Sequence, residues 1–316
     1  MEYRFLGNTG IKVSRLCFGG LTVGPLQANL SPEAGGEIIA EAFRQGVNFI
    51  DTAELYGTYP HIKRALTLYK DNPIIIATKS YAYDEETAKK SVDLALSSMD
   101  LHHLDIFLLH EQESEHTLRG HDGALKYYLK MKEQGIIKAV GISTHTIKAV
   151  KAASKMPEID VIHPIINKAG LGIQDGPVED MLKALVIAKE SGKGIYGMKP
   201  LGGGNLIHSS AECFQFVLNL PMLDSIAVGM QTKEEVQANI MVFSGKEVPA
   251  AVQSSISSHL RKLHIDFWCE KCSKCIDHCR HGALMLTEEG ISVKRDQCVL
   301  CGYCSSYCPN FCIKIV

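Results

Sequence analysis

The 316-residue chain lacks any excess of charge: 33 Lys and Arg stand against 35 Asp and Glu, a formal net charge of −2. The cations are scattered, so there is no electrostatic footprint for nucleic acid. Long apolar runs are also missing. The longest, at residues 73–77 and 105–109, fall far short of the ~20 residues that a membrane-spanning helix needs. Residues 1–10 have neither the basic start nor the apolar stretch of a secretory signal. The expectation is a cytoplasmic protein with no membrane and no nucleic-acid partner. Cysteine is nearly absent from the first 245 residues, where Cys17 and Cys213 stand alone. Eight of the 11 cysteines lie between Cys269 and Cys308, and Cys312 follows just outside. The three outliers read as buried structural thiols.

The chain is thus two unlike pieces. Residues 1–245 suffice for one large domain, whereas the last ~50 are too few for an adequate core without staples. After an N-terminal hairpin, short apolar runs near 15–18, 48–51, 74–78, 105–109, 139–142, 161–163, 194–198 and 225–228 alternate with stretches of helical periodicity. Eight strands in about 250 residues predict an α/β fold, a (β/α)8 TIM barrel. A doubly wound sheet is the runner-up, but no Gly-x-Gly-x-x-Gly follows the first strand. Residues 246–265 read as a helical linker, with apolar spacing at 250–253 and 256–263.

The tail reads Cys269-x-x-Cys272-x-x-Cys275-x-x-x-Cys279, then Cys298-x-x-Cys301-x-x-Cys304-x-x-x-Cys308-Pro309. The doubled run resembles a bacterial two-cluster [4Fe-4S] ferredoxin over residues 266–316, a small α+β domain. The resemblance implies crossed ligation, with Cys269, Cys272, Cys275 and Cys308 on one cluster and Cys298, Cys301, Cys304 and Cys279 on the other. The first run departs from the pattern in carrying Arg280 where Pro is usual. Zinc sites and disulfides are weaker readings of the same spacing.

In a barrel, chemistry gathers at the C-terminal ends of the strands. There the second strand gives Asp51 and, five residues on, Tyr56; the third gives Lys79 and the fourth His110. A lysine ammonium beside a tyrosine favours the phenolate, an aspartate holds the lysine, and a histidine can hydrogen-bond a carbonyl. With these four residues the barrel resembles an aldo-keto reductase. The resemblance implies Tyr56 as general acid, Lys79 tuning it, Asp51 anchoring Lys79 and His110 aligning a small carbonyl or alcohol substrate.

The same resemblance implies NADP or NAD stretched along the barrel mouth. Ser143 matches a carboxamide-binding residue of the family; Thr144 stands where Asn is usual, His163 where Gln is usual, and Met198 where an aromatic stacks on nicotinamide. Gly202, Gly203 and Gly204, with Gly229 and Lys233, fall at the phosphate corner after the last two strands. Asn239 keeps the adenine position, and Glu235 replaces the Arg used on a 2′-phosphate. A hydride carries two electrons whereas each cluster passes one, so FMN at the mouth is an alternative cofactor. The remaining alternatives are an electron carrier with a non-catalytic barrel, serving a redox-protein partner, and clusters that merely staple the tail.

Overall fold

The computed structural model describes residues 1–257 and 261–316. Strands β1 (Tyr3–Phe5) and β2 (Lys12–Ser14) form the expected hairpin. Eight parallel strands then close a barrel: β3 (Leu16–Gly19), β4 (Phe49–Asp51), β5 (Ile75–Ser80), β6 (Leu104–Leu109), β7 (Ile137–Thr144), β8 (Val161–Pro164), β9 (Gly194–Met198) and β10 (Ser225–Gly229), with β10 pairing back onto β3. Strand β5 ends two residues later than its apolar run suggests. Lys79 is therefore a ladder residue, in register with Leu108.

The helices begin where capping chemistry allows. Ser31 caps α1 (Pro32–Arg44) by accepting from the Ala34 amide, with Pro32 in the first turn where a missing N–H costs nothing. Helix α2 (Tyr59–Leu68) follows, and Asp84 with Thr87 makes a capping box for α3 (Glu85–Met99). A helix that the periodicity did not announce, α4 (Glu115–Gly120), starts on a second box formed by Ser114 and Thr117. Then come α5 (Asp122–Glu133), α6 (Ile147–Ser154), α7 (Val178–Glu190), α8 (Ser210–Leu218) and α9 (Lys233–Phe243).

Two apolar shells result. The larger lies between strands and helices; the smaller fills the barrel with Cys17, Phe49, Ala77, Ile106, Leu108, Ala139, Val161 and Tyr196. Leu6, Ile11 and Val13 of the hairpin join that inner shell, so the hairpin plugs one end of the barrel. Polar groups can then gather only at the other mouth.

Beyond the barrel, α10 (Ala250–Ser257) matches the first half of the expected helical linker. The second half differs. Leu263, expected in a helix, opens strand β11 (Leu263–Ile265), which pairs antiparallel with the final strand β14 (Ile313–Ile315); residues 258–260 lie outside the described residues. A local apolar spacing cannot register this pairing, because the partner strand is some fifty residues away. Between them lie α11 (Lys274–Asp277) and a small hairpin of β12 (Leu284–Leu286) and β13 (Ile291–Val293). Among the described residues no helix is long and apolar enough to cross a membrane.

Candidate active site

Asp51, Lys79 and His110 arrive at one mouth because β4, β5 and β6 are hydrogen-bonded neighbours. Tyr56 is brought to them by a single 3-10 turn, Glu54–Tyr56, that ends on Gly57 at φ +64°, a conformation glycine adopts without strain. Lys79 is wholly buried. Its ammonium donates to both Asp51 oxygens, at 2.9 and 2.7 Å, and to the Thr52 carbonyl at 2.8 Å, which uses all three protons. The same ammonium lies 4.8 Å from the centre of the Tyr56 ring, and that ring lies 5.7 Å from the His110 imidazole.

Burial alone would raise the Asp51 carboxyl, but the charges of Lys79 and His163 outweigh it and hold the group well below the usual carboxylate range. His110 is pushed well below the ordinary histidine value by burial and then by Lys79, so it is neutral. The phenol of Tyr56 moves opposite to expectation. Burial, followed by the negative charge of Asp51, pushes it well above 10, and no proton of Lys79 remains to hydrogen-bond the phenolate. Tyr56 is thus a fully protonated donor at neutral pH.

Two residues in this network escaped sequence reasoning. Tyr196 of β9 donates from its hydroxyl to Asp51 Oδ1 at 2.9 Å, and Tyr81, just past β5, stacks on His110 at 4.3 Å while donating to Glu111 at 2.5 Å. The period-two alternation of β9 could have flagged Tyr196 as an inward-facing polar group, since it belongs to the shell that fills the barrel.

The residues expected to clamp a nicotinamide are engaged within the fold. His163 places Nδ1 2.6 Å from the Tyr196 carbonyl and Nε2 3.6 Å from Asp51, with its ring stacked on Tyr196 at 3.8 Å. It supports the tetrad from beneath. Ser143 Oγ accepts from the Glu111 amide, Thr144 Oγ1 accepts from the Thr146 amide, and Met198 is buried in the larger apolar shell.

The phosphate corner is occupied by the chain itself. Gly203 accepts at its carbonyl from the Ile315 amide at 3.0 Å, and Asn205 donates its side-chain amide to the Ile313 carbonyl at 3.0 Å. A side chain on Gly204 would collide with the Ile315 carbonyl. Glu235 answers Arg261 at 2.6 Å, whereas Lys233 is exposed and 3.7 Å from Glu37. Gly229 ends β10 hard against the Thr22 side chain, and Asn239 is half-buried on α9. The tetrad therefore fits carbonyl chemistry, while the glycine run, as packed here, does not fit a cofactor phosphate.

The C-terminal strand continues this seam to the tetrad. Phe311, at φ +48°, lies between Lys314, 3.5 Å from its ring centre, and Lys199, 5.3 Å away. Lys199 in turn donates to His145 Nε2 at 3.0 Å, and His145 Nδ1 stands 3.8 Å from Glu111.

In the tail, Cys275 and Cys304 are buried, Cys269, Cys279, Cys298 and Cys308 half-buried, and Cys272 and Cys301 exposed; all are free thiols. Burial and then Cys308, Cys269 and Cys272 push the Cys275 thiol up. Burial and then Cys301, Cys275, Cys279 and Cys298 push Cys304 up to about 12. A cavity of about 230 Å³ is lined by Cys279, Cys298, Cys301 and Cys304. Among the described residues no three His, Cys, Asp or Glu side chains converge as they would on one metal ion.

The aldo/keto reductase family model matches residues 15–212. The chain belongs to the aldo/keto reductase family. It is an oxidoreductase of that family. It is 25% identical over 299 residues to the L-galactose dehydrogenase of Arabidopsis thaliana, covering 81% of this chain and 92% of that one. It is 27% identical over 253 residues to the pyridoxine 4-dehydrogenase of Escherichia coli, covering 72% and 81%. In fold it resembles an aldo-keto reductase from Bacillus halodurans, with a TM-score of 0.66 at 19% identity over 81% of this chain and 95% of that one.

Proposed function

We propose that this aldo-keto reductase reduces a small carbonyl compound, or oxidises the corresponding alcohol, and carries two [4Fe-4S] clusters that relay electrons. The observation that carries the reading is a protonated Tyr56 beside a neutral His110 and a saturated Asp51–Lys79 pair. A neutral imidazole can donate one hydrogen bond to the carbonyl oxygen and hold it near the phenol. Tyr56 then gives its proton to that oxygen as the carbonyl carbon becomes tetrahedral, and takes it back in the reverse direction. The fixed charge of Lys79 stabilises the phenolate left behind. NAD(P)H, the usual family cofactor, supplies the hydride when bound.

Cys269, Cys272, Cys275 and Cys308 would hold one cluster, and Cys298, Cys301, Cys304 and Cys279 the other, each supplying single-electron transfer. The cavity lined by all four cysteines of the second set supports this. A four-iron cube spreads its ligand sulfurs farther apart than a single ion does, so the absence of a one-ion site among the described residues is compatible with it. Engagement of Ser143, Thr144, His163 and Met198 inside the fold favours a second reading, a flavin at the mouth converting between one- and two-electron steps.

The test is an anaerobic spectrum with iron and released-cofactor analysis, then turnover of wild type and Tyr56→Phe with NAD(P)H and a panel of aldehydes. About eight irons and a 10²–10⁴-fold fall in kcat/KM for the variant are expected. Undiminished turnover in Tyr56→Phe would remove the phenol from the mechanism.

A further inference from the structure

The loops after the last two strands of a TIM barrel are its usual phosphate site, and in this chain they are also where the C-terminal module sits. We propose that the module is a built-in cover for this corner, so that a dinucleotide phosphate and the docked module exclude one another. The inference rests on the reading that the barrel uses a pyridine dinucleotide.

Independent contacts mark the corner as a docking surface. The Gly203 carbonyl is taken by Ile315, and the Asn205 amide by Ile313. Gly203 and Gly204 present bare Cα atoms because Lys314 and Ile315 occupy the space that side chains would need. Gly172, in the loop after β8, lies beneath the Ile165 side chain and next to the Phe311 ring. At the far end Arg261 of the linker neutralises Glu235, whose second oxygen accepts from the Gln231 amide at 2.7 Å. A dinucleotide phosphate needs amides and space in this corner. In the docked arrangement the space is filled, and the apparent affinity is the intrinsic affinity reduced by the fraction of molecules with the module lifted. Lifting Arg261 also bares Glu235, an anion that repels a 2′-phosphate but can hydrogen-bond a free ribose hydroxyl. The uncovered barrel therefore prefers NADH to NADPH.

The experiment measures NADH and NADPH affinity by fluorescence titration of the anaerobic full-length protein, in wild type and in Phe311→Ala, Asn205→Ala and Arg261→Ala, with hydrogen exchange followed at residues 313–316. NADH avoids the charge of Glu235 and is the primary probe. At least ten-fold tighter NADH binding in the variants, with faster exchange at 313–316 when wild type is saturated, is the expected result. Should Phe311→Ala fail to fold, the other two variants, which leave the ring in place, carry the comparison. Equal NADH affinity in all proteins with unchanged exchange overturns the cover alone. If neither nucleotide binds to any variant, the dinucleotide reading itself falls, and the cover with it.

Discussion

Replacing Lys79 by Met keeps most of the side-chain volume and removes the charge. Asp51 would keep the Tyr196 hydroxyl and the nearby His163, but lose both ammonium contacts inside the barrel. Removing one partner of a buried pair costs about 3–5 kcal/mol, because the other charge is left without compensation. The pH dependence gives a sharper test. In the wild type the Asp51 carboxyl is held far below its ordinary value, so its contribution is present above the ordinary carboxylate range and is lost only in strong acid. In the variant, burial is unopposed by Lys79 and raises the carboxyl above its unfolded value. The folded variant then binds a proton more readily than the unfolded chain, and its stability deficit narrows as the pH falls from 7 to 4. Urea unfolding followed by circular dichroism at both pH values would show this. The double variant Asp51→Asn/Lys79→Met should recover about 2 kcal/mol relative to Lys79→Met. A loss under about 1 kcal/mol at pH 7, or a deficit independent of pH, would refute the argument that this pair is a buried, charged unit.

Crossed ligation predicts that Cys308→Ala perturbs the same cluster as Cys269→Ala, while Cys279→Ala perturbs the one altered by Cys298→Ala; paramagnetic resonance of the reduced proteins separates the two patterns, and pairing of Cys279 with Cys269 would contradict it. Gly204→Ala places a methyl group against the Ile315 carbonyl at a residue with φ +85°, so it should loosen the tail and speed proteolysis near Arg261 and Lys262 without changing the far-ultraviolet spectrum of the barrel.

The alternation of short apolar runs with helical periodicity was enough to determine the barrel, because parallel strands buried on both faces read as continuous apolar segments. It also placed Asp51, Tyr56, Lys79 and His110 at strand ends, since this fold brings such ends to one mouth. The cysteine spacing, likewise a local property, is the ground on which the tail is proposed to hold two clusters. What sequence could not supply was anything set by distant contact. The rise of the Tyr56 pKa comes from its burial and then from the charge of Asp51, neither of which a local stretch of sequence shows. His163 supports Asp51 because β9 lays Tyr196 against it, across thirty-three positions of the chain. Gly203 and Gly204 look like a phosphate cradle until Lys314 and Ile315, more than a hundred residues later, are found against them. Local pattern fixes elements and the ends of strands; which group faces a charge, a ring or a neighbouring backbone is decided only when distant parts of the chain are packed together.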